Sequence, residues 1–368
     1  MTDELRDHYD VVVIGGGAAG LNGALMLARA RRSVAVIDSG SPRNAPAGAV
    51  HGLLAREGMP PAELLARGRT EVRTYGGHII SGTVETVIRG DRPAAAQPDR
   101  AASSRQVPGA RGESRAQSDE DGFTVVLADG RSVRARRILV ASGLADELPE
   151  VAGLWERWGR DVVHCPYCHG WEVRDRAIGV LANGPMSVHG ALLWRQWSDD
   201  VTLFCHTMAA PTGEQAEQLA ARGIRVVTGE VANLEISDDH LTGVRLADGT
   251  VIAREVLAAP PRMVARAGFL ADLGLHPVAH PSGMGDHIPA DPAGRTEVPG
   301  VWVAGNVADL SAQVGGAAAA GAVAGGQINA DLVTEEIQRA VEASRAPFSA
   351  AAEAQVGQLV TGDRRHGL

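Results

Sequence analysis

The segment Asp10-Val11-Val12-Val13-Ile14 runs directly into Gly15-Gly16-Gly17-Ala18-Ala19-Gly20. An apolar strand that ends in such a turn has few structural options. Glycines let the backbone reverse sharply and let a phosphate approach without a Cβ in the way. Residues Leu21–Ala30 read as the helix that follows, and Val34–Asp38 as the next strand. Strand, glycine turn, helix and strand within about thirty residues form the context that a dinucleotide-binding turn requires. Asp38 closes the second strand, where a carboxylate accepts hydrogen bonds from ribose hydroxyls. Gly-rich helix starts also occur without a ligand, but here all four parts agree.

A second pattern carries the chemistry: His164-Cys165-Pro166-Tyr167-Cys168-His169-Gly170, a Cys-x-x-Cys pair in a chain with only three cysteines. Three cysteines make no disulfide framework. In a reducing compartment a lone pair of this spacing is redox-active or metal-binding. At a helix N-terminus the free N–H groups lower one thiol's pKa, and the thiolate attacks a disulfide or passes electrons to a flavin. His169 is placed to take and return the thiol proton, and His164 is the second residue suited to that role. A zinc site needs four ligands, whereas Cys165, Cys168 and a flanking histidine supply three; no metal is expected. Cys205 lies in an apolar strand and reads as core. His276, His280 and His287 lie in a Pro- and Gly-rich loop and read as solvated.

Length and charge narrow the field further. At 368 residues the chain is long enough for two domains with their own cores. A net charge of −9 argues against a nucleic-acid partner, which needs a basic face. No apolar run is long enough for a membrane span, and no signal peptide precedes Val11, so the cytoplasm is the expected location.

Further strands are expected over 79–90 and 123–141, with a turn at Asp129-Gly130. Between them, 91–121 is rich in Ala, Arg, Ser, Pro and Gln and lacks periodicity; it reads as a disordered insertion. Ala177–Ala182 is a strand entering a second glycine-containing turn, with a helix over Val188–Trp197 and a strand over Val201–Cys205. More strands fall in 224–259, and Gly300–Ala304 returns to the first unit. A small-residue helix follows to about Leu332, and 336–368 reads as a loosely ordered C-terminal tail. The expected fold is α/β, with two Rossmann-like three-layer domains, the second inserted in the first. Residues 1–152 with 288–335 form the FAD-binding domain, and 153–287 the NAD(P)-binding-like domain that carries the dithiol.

With the Gly15–Gly20 turn, the strand end Ala141-Ser142-Gly143, the Cys165/Cys168 pair just before the second unit, and Ala304-Gly305-Asn306-Val307 with Gln313-Val314, the chain resembles the low-molecular-weight thioredoxin reductase family of flavoproteins over roughly residues 8–335. The resemblance implies FAD. Gly15, Gly17, Ala18 and Ala19 would meet its pyrophosphate and Asp38 its adenosine ribose. Arg43 and Asn44 would flank the flavin, and Val84 would touch the adenine end. Ala141 and Gly143 would close the strand end beside it, Gly305 would be a further cofactor-binding residue, and Asn306 would bind the ribityl chain. Gln313 and Val314 would face the pyrimidine edge. It also implies a homodimer, with Cys165 exchanging with substrate and Cys168 facing the flavin. His169 stands where reductases of the family carry an acidic proton donor.

The second turn departs from the family. A NADPH-binding turn reads Gly-x-Gly-x-x-Ala, whereas this one reads Ala182-Asn183-Gly184-Pro185-Met186-Ser187. Pro185 removes an N–H that would cradle a pyrophosphate. The next strand leads into Cys205-His206-Thr207-Met208, without the basic cluster that holds a 2′-phosphate. NADPH is therefore not the expected electron source. The expected function is FAD-dependent oxidation of a small-molecule dithiol to a disulfide with oxygen as acceptor. The alternatives are an NADPH-dependent reductase acting on a thioredoxin-like protein, and a non-catalytic flavin redox sensor.

Overall fold

A computed structural model describes residues 3–90, 122–345 and 350–362. The insertion expected over 91–121 lies outside the described residues. The first sheet has seven strands. They are β1 (His8–Ile14), β2 (Val34–Asp38), β3 (His78–Ser81), β4 (Val84–Arg89), β5 (Phe123–Leu127), β6 (Ser132–Val140) and the late strand Val301–Val303. β3, β2, β1 and β6 run parallel, and β5 and β4 extend the sheet antiparallel. Val301–Val303 pairs in parallel with the end of β6. Val11, Val12 and Val13 are fully buried because β1 is central and has a layer on each face.

Helix α1 (Ala18–Arg29) starts at Gly17 without a side-chain cap. It packs against the long helix Val314–Arg345, and the Ala/Gly composition of both explains how closely. A Cβ on Gly321 would lie 2.0 Å from the Ala19 carbonyl oxygen, and one on Gly23 would lie 3.0 Å from the Gly321 carbonyl oxygen. The small residues bring the two backbones into contact rather than marking weak apolarity.

The second unit is a five-stranded parallel sheet in the order Arg225–Val227, Val201–Phe204, Ile178–Leu181, Val256–Ala258, Val162–Val163. An antiparallel meander, Val231–Ser237, His240–Leu246 and Val251–Ala253, packs its inner face onto one side. The chain crosses between the units twice, and the two crossing strands pair with each other: Leu144–Glu147 lies antiparallel to Arg262–Ala265. Both units are Rossmann-like, and the second lies within the sequence of the first.

Two expectations need correction. The C-terminal segment is not a loose tail from residue 336: the long helix continues to Arg345, and a further helix spans Ala350–Gly362. Ion pairs hold the extension, with Glu335 bound by Arg136 and Arg137, and Glu336 by Arg32 and Arg136. The loop histidines are not all solvated either. His276 is exposed, but His280 and His287 are half-buried and meet edge-on at 4.7 Å.

No helix among the described residues is long and apolar enough to cross a membrane.

Candidate active site

One cavity of about 930 Å³ is lined by every site residue read from the sequence. Its floor is the Gly15–Ala19 turn. Gly15 has φ +106, and a Cβ there would lie 2.3 Å from the Ala141 carbonyl oxygen, so only glycine fits between the two strand ends. A Cβ on Gly17, by contrast, would meet nothing within 4 Å; its backbone faces open cavity. The uncapped start of α1 therefore presents free N–H groups to that space, as an anionic pyrophosphate requires. Asp38 stands beside Gly16, held by Arg69 at 2.9 Å. Val84 begins β4 further along this wall, and Ala141 and Gly143 end β6 beside it.

The opposite wall comes from the C-terminal part. Gly305 has φ +76 and opens a single helical turn. The Asn306 amide nitrogen donates to the Asp309 and Ala312 carbonyls at 3.0 and 2.9 Å. This shapes the loop that delivers Gln313 and Val314 to the start of the long helix. Arg43 and Asn44 lie on the loop after β2. Arg43 forms a two-pronged pair with Asp146, at 2.8 and 2.7 Å. The first domain is thereby fastened to a crossing strand, and a fixed positive charge stands near the dithiol. The residues present suit a flavin dinucleotide: open glycine backbone, uncapped helix start, ribose-side carboxylate and an enclosed cavity.

Cys165 is the N-cap of a four-residue helix, Pro166–His169. Pro166 fits the first helical position, where its missing N–H costs nothing. The two sulfurs are 2.6 Å apart, with Cys168 donating to Cys165. That donation, with further help from the Cys168 and Tyr167 N–H groups and Arg43, holds the Cys165 thiol down to about 7. Cys168 is pushed up, by its bond to Cys165 and by burial. Of the two thiols, Cys165 is therefore the one that ionises near neutral pH.

Burial holds both flanking histidines below the ordinary imidazole range. Burial, reinforced by Arg43, lowers His164 to about 4. Its Nδ1 is sealed without a partner, and its ring stacks on Trp158. His169 is also lowered by burial, and its Nδ1 too is buried without a partner. A neutral imidazole beside a dithiol can accept a thiol proton. Underneath, Gly170 sits on Trp197: a Cβ there would strike the indole at 2.7 Å. Tyr167 meets the same ring edge-on at 5.6 Å.

The second turn is closed upon itself. Ser187 Oγ accepts from the Asn183 and Gly184 N–H groups at 3.1 and 3.2 Å and donates to the Gly184 carbonyl at 2.8 Å. The Asn183 side chain is tied to the Pro260 carbonyl. His206, where a basic cluster would stand, accepts the Val231 N–H through Nδ1 at 3.0 Å. Two N–H groups of this turn are engaged by Ser187, Pro185 supplies none, and no basic cluster follows, so the residues present suit a nicotinamide dinucleotide poorly.

Several residues at the site escaped sequence reasoning: Asp146, His51 and His189 on the cavity wall, and Arg69 bound to Asp38. None belongs to a local motif, and each arrives by tertiary packing. Cys205 is buried just past the end of the strand Val201–Phe204, and burial raises its thiol. Among the described residues no group of three or more His, Cys, Asp or Glu side chains is placed to hold a metal ion.

Comparison with known proteins places the chain in a family. Residues 9–343 match the family model described as pyridine nucleotide-disulphide oxidoreductase. Thioredoxin reductase tcpT of Claviceps purpurea is 28% identical, over 89% of this chain and 95% of its own. Thioredoxin reductase sirT of Leptosphaeria maculans is 28% identical, over 87% and 93%. Among solved structures, HlmI superposes with a TM-score of 0.80 at 43% identity, covering 95% of this chain and all (100%) of its own. An oxidoreductase from Agrobacterium tumefaciens gives 0.76 at 34% identity, covering 89% and 99%.

Proposed function

Since the chain belongs to the pyridine nucleotide-disulphide oxidoreductase family, as a thioredoxin reductase-like FAD enzyme, we propose that it runs thiol chemistry toward oxidation: a small-molecule dithiol becomes a disulfide through Cys165 and Cys168, with oxygen as final acceptor. One observation carries this reading. The dithiol opens onto the same cavity as the flavin cradle, while the second dinucleotide turn is closed by Ser187 and Pro185. Electrons then have an entry through sulfur and none through nicotinamide.

In the proposed cycle the pair meets substrate in its oxidised form, a Cys165–Cys168 disulfide, and the free thiols 2.6 Å apart are its reduced form. His169 takes the proton of one substrate thiol, and the thiolate attacks Cys165 Sγ. A substrate–Cys165 bond forms, the Cys165–Cys168 bond breaks, and Cys168 takes up the electron pair. The second substrate thiol, deprotonated in turn, attacks the substrate sulfur of the mixed disulfide. The product disulfide forms and Cys165 leaves as thiolate, a departure its low pKa favours. Bound FAD supplies the two-electron acceptor that returns the pair to the disulfide, and oxygen, leaving as hydrogen peroxide, takes those electrons on. Gly15, Gly17, Ala18, Ala19, Asp38, Arg43, Asn44, Val84, Ala141, Gly143, Gly305, Asn306, Gln313 and Val314 would hold the cofactor in the manner the resemblance implies, in a homodimer.

Aerobic assay tests the reading. Oxygen uptake with a small dithiol, producing one peroxide per disulfide and unaffected by NADPH, is the expected result. Reduction of a thioredoxin disulfide at the expense of NADPH would overturn it and make the chain a reductase.

A further inference from the structure

The helix Ser187–Trp194 follows the closed second turn, yet one of its faces belongs to the dithiol cavity. Ser187, Ala191 and Trp194 form its buried face. Ala191 and Trp194 share a core cluster with Val163 and Val173, which bracket the dithiol segment. Trp197, three residues further on, lies under Gly170 and edge-on to Tyr167. The helix is thereby fixed alongside Cys165 and Cys168. Met186, His189 and Leu193 are spaced by three and four residues, so they share another face, and all three line the cavity. Met186 and Tyr167 are 43% and 61% exposed, which leaves apolar surface open beside the reacting sulfur.

Charge is distributed unevenly around this cavity. Among the described residues its Asp, Glu, Lys and Arg side chains are Asp38, Arg43, Asp146 and Arg266. Asp38 is paired with Arg69, and Arg43 with Asp146. Arg266 reaches the Ser41 carbonyl on the cradle side at 3.1 Å. Residues 153–258 contribute none of the four. Around the dithiol they offer Trp158, Tyr167, Met186 and Leu193, with His164, His169 and His189 as polar groups. Three of the chain's seven methionines, Met186, Met263 and Met284, line the cavity, and a thioether adapts to irregular apolar shapes. An ion brought onto such a wall loses its hydration and finds no unpaired counter-charge. A neutral molecule loses little and gains apolar contact, with a few polar groups to orient it. We propose that the face made by Met186, His189 and Leu193 is the substrate wall of the dithiol site, and that it selects an uncharged dithiol carried on an apolar body. This rests on the dithiol-oxidation reading above and names the substrate class of that same site. The helix that would meet a pyrophosphate at its N-terminus in a nucleotide-binding unit thus serves through its side, and His189 is the polar side chain of that face.

The test is anaerobic stopped-flow reduction of the holoenzyme flavin by three dithiols of one skeleton: 3-mercapto-2-(mercaptomethyl)propanamide, the corresponding carboxylate, and the ammonium compound 2-(aminomethyl)propane-1,3-dithiol. Each rate is divided by that dithiol's rate with a small aromatic disulfide in solution, which removes differences in thiol reactivity. The amide is expected to bleach the wild-type flavin about tenfold or more faster than either charged compound. Met186→Lys is expected to bring the carboxylate within about threefold of the amide and to slow the ammonium compound further, with flavin content unchanged. Equal normalised rates for the three dithiols in wild type overturn the proposal. So does a Met186→Lys enzyme that retains flavin and the wild-type ratios, since a charge on the substrate wall must move them. Should Met186→Lys lose its flavin, the same criteria apply to His189→Lys on the same face. If neither the amide nor dithiothreitol bleaches the wild-type flavin, the parent reading fails, whereas bleaching without selection by charge overturns this inference alone.

Discussion

Gly15 and Gly184 occupy corresponding turns of two Rossmann-like units, each after a buried strand and before a helix. Around Gly15 the turn is open on the cavity side: no side chain caps α1 and no atom lies within 4 Å of a Gly17 Cβ. Around Gly184 the serine that begins the helix has folded back onto the turn's own N–H groups. The backbone shape is shared, and the hydrogen-bond donors have been spent differently. A fold can therefore keep its architecture while the donors at its two turns are committed differently, a difference the trace alone does not reveal.

The sharpest way to break the comparison is alanine at each glycine. Gly15→Ala is expected to lose flavin and at least about 2 kcal/mol of stability, because φ +106 and the Ala141 carbonyl both oppose a Cβ. Absorbance of the purified protein and thermal melting check this.

If the second unit serves thiol rather than nucleotide, its dithiol must be poised at neutral pH. In the reduced enzyme, alkylation of Cys165 is expected to rise through about pH 7. At that pH it should be at least roughly tenfold faster than for an ordinary thiol. Peptide mapping after iodoacetamide treatment reads it, and equal labelling of Cys165 and Cys168 would contradict it.

His164 makes a smaller contribution, in stability. Its folded pKa, about 4, lies below the unfolded value near 6.5. The unfolded chain therefore binds the extra proton between those values. Stability is complete above about pH 6.5 and falls as pH drops toward 4, by on the order of 3 kcal/mol at most. Denaturant titrations of wild type and His164→Asn should converge as the pH falls across that window.

Ser187→Ala should cost about 1 kcal/mol by leaving the Asn183 and Gly184 N–H groups without their acceptor, and should not slow flavin reduction by dithiols. Smallest of all is Gly184→Ala, which meets nothing within 4 Å and should change stability by less than about 0.5 kcal/mol. The contrast with Gly15→Ala is the comparison in its simplest form.

What could be read from the sequence was local. Val34–Asp38 is the second strand as expected, and Cys165 caps a helix. In the second unit, Pro185 and the missing basic cluster flagged the closed turn, but Ser187's part in closing it needed coordinates. The Arg43–Asp146 fork and the Asp38–Arg69 pair join residues far apart in the chain, and no periodicity encodes them. The helix beyond Leu332 was missed for a related reason. Its partners Arg32, Arg136 and Arg137 lie far back in the chain, and no local pattern announces those ion pairs.

The most direct test of the central claim sets the two electron entries against each other. The holoenzyme is mixed anaerobically with NADPH in one syringe and with a small dithiol in the other experiment, and the flavin absorbance band is followed. Bleaching by the dithiol and none by NADPH is the predicted result. Rapid bleaching by NADPH would contradict it, showing that the second turn binds nucleotide despite Ser187 and Pro185.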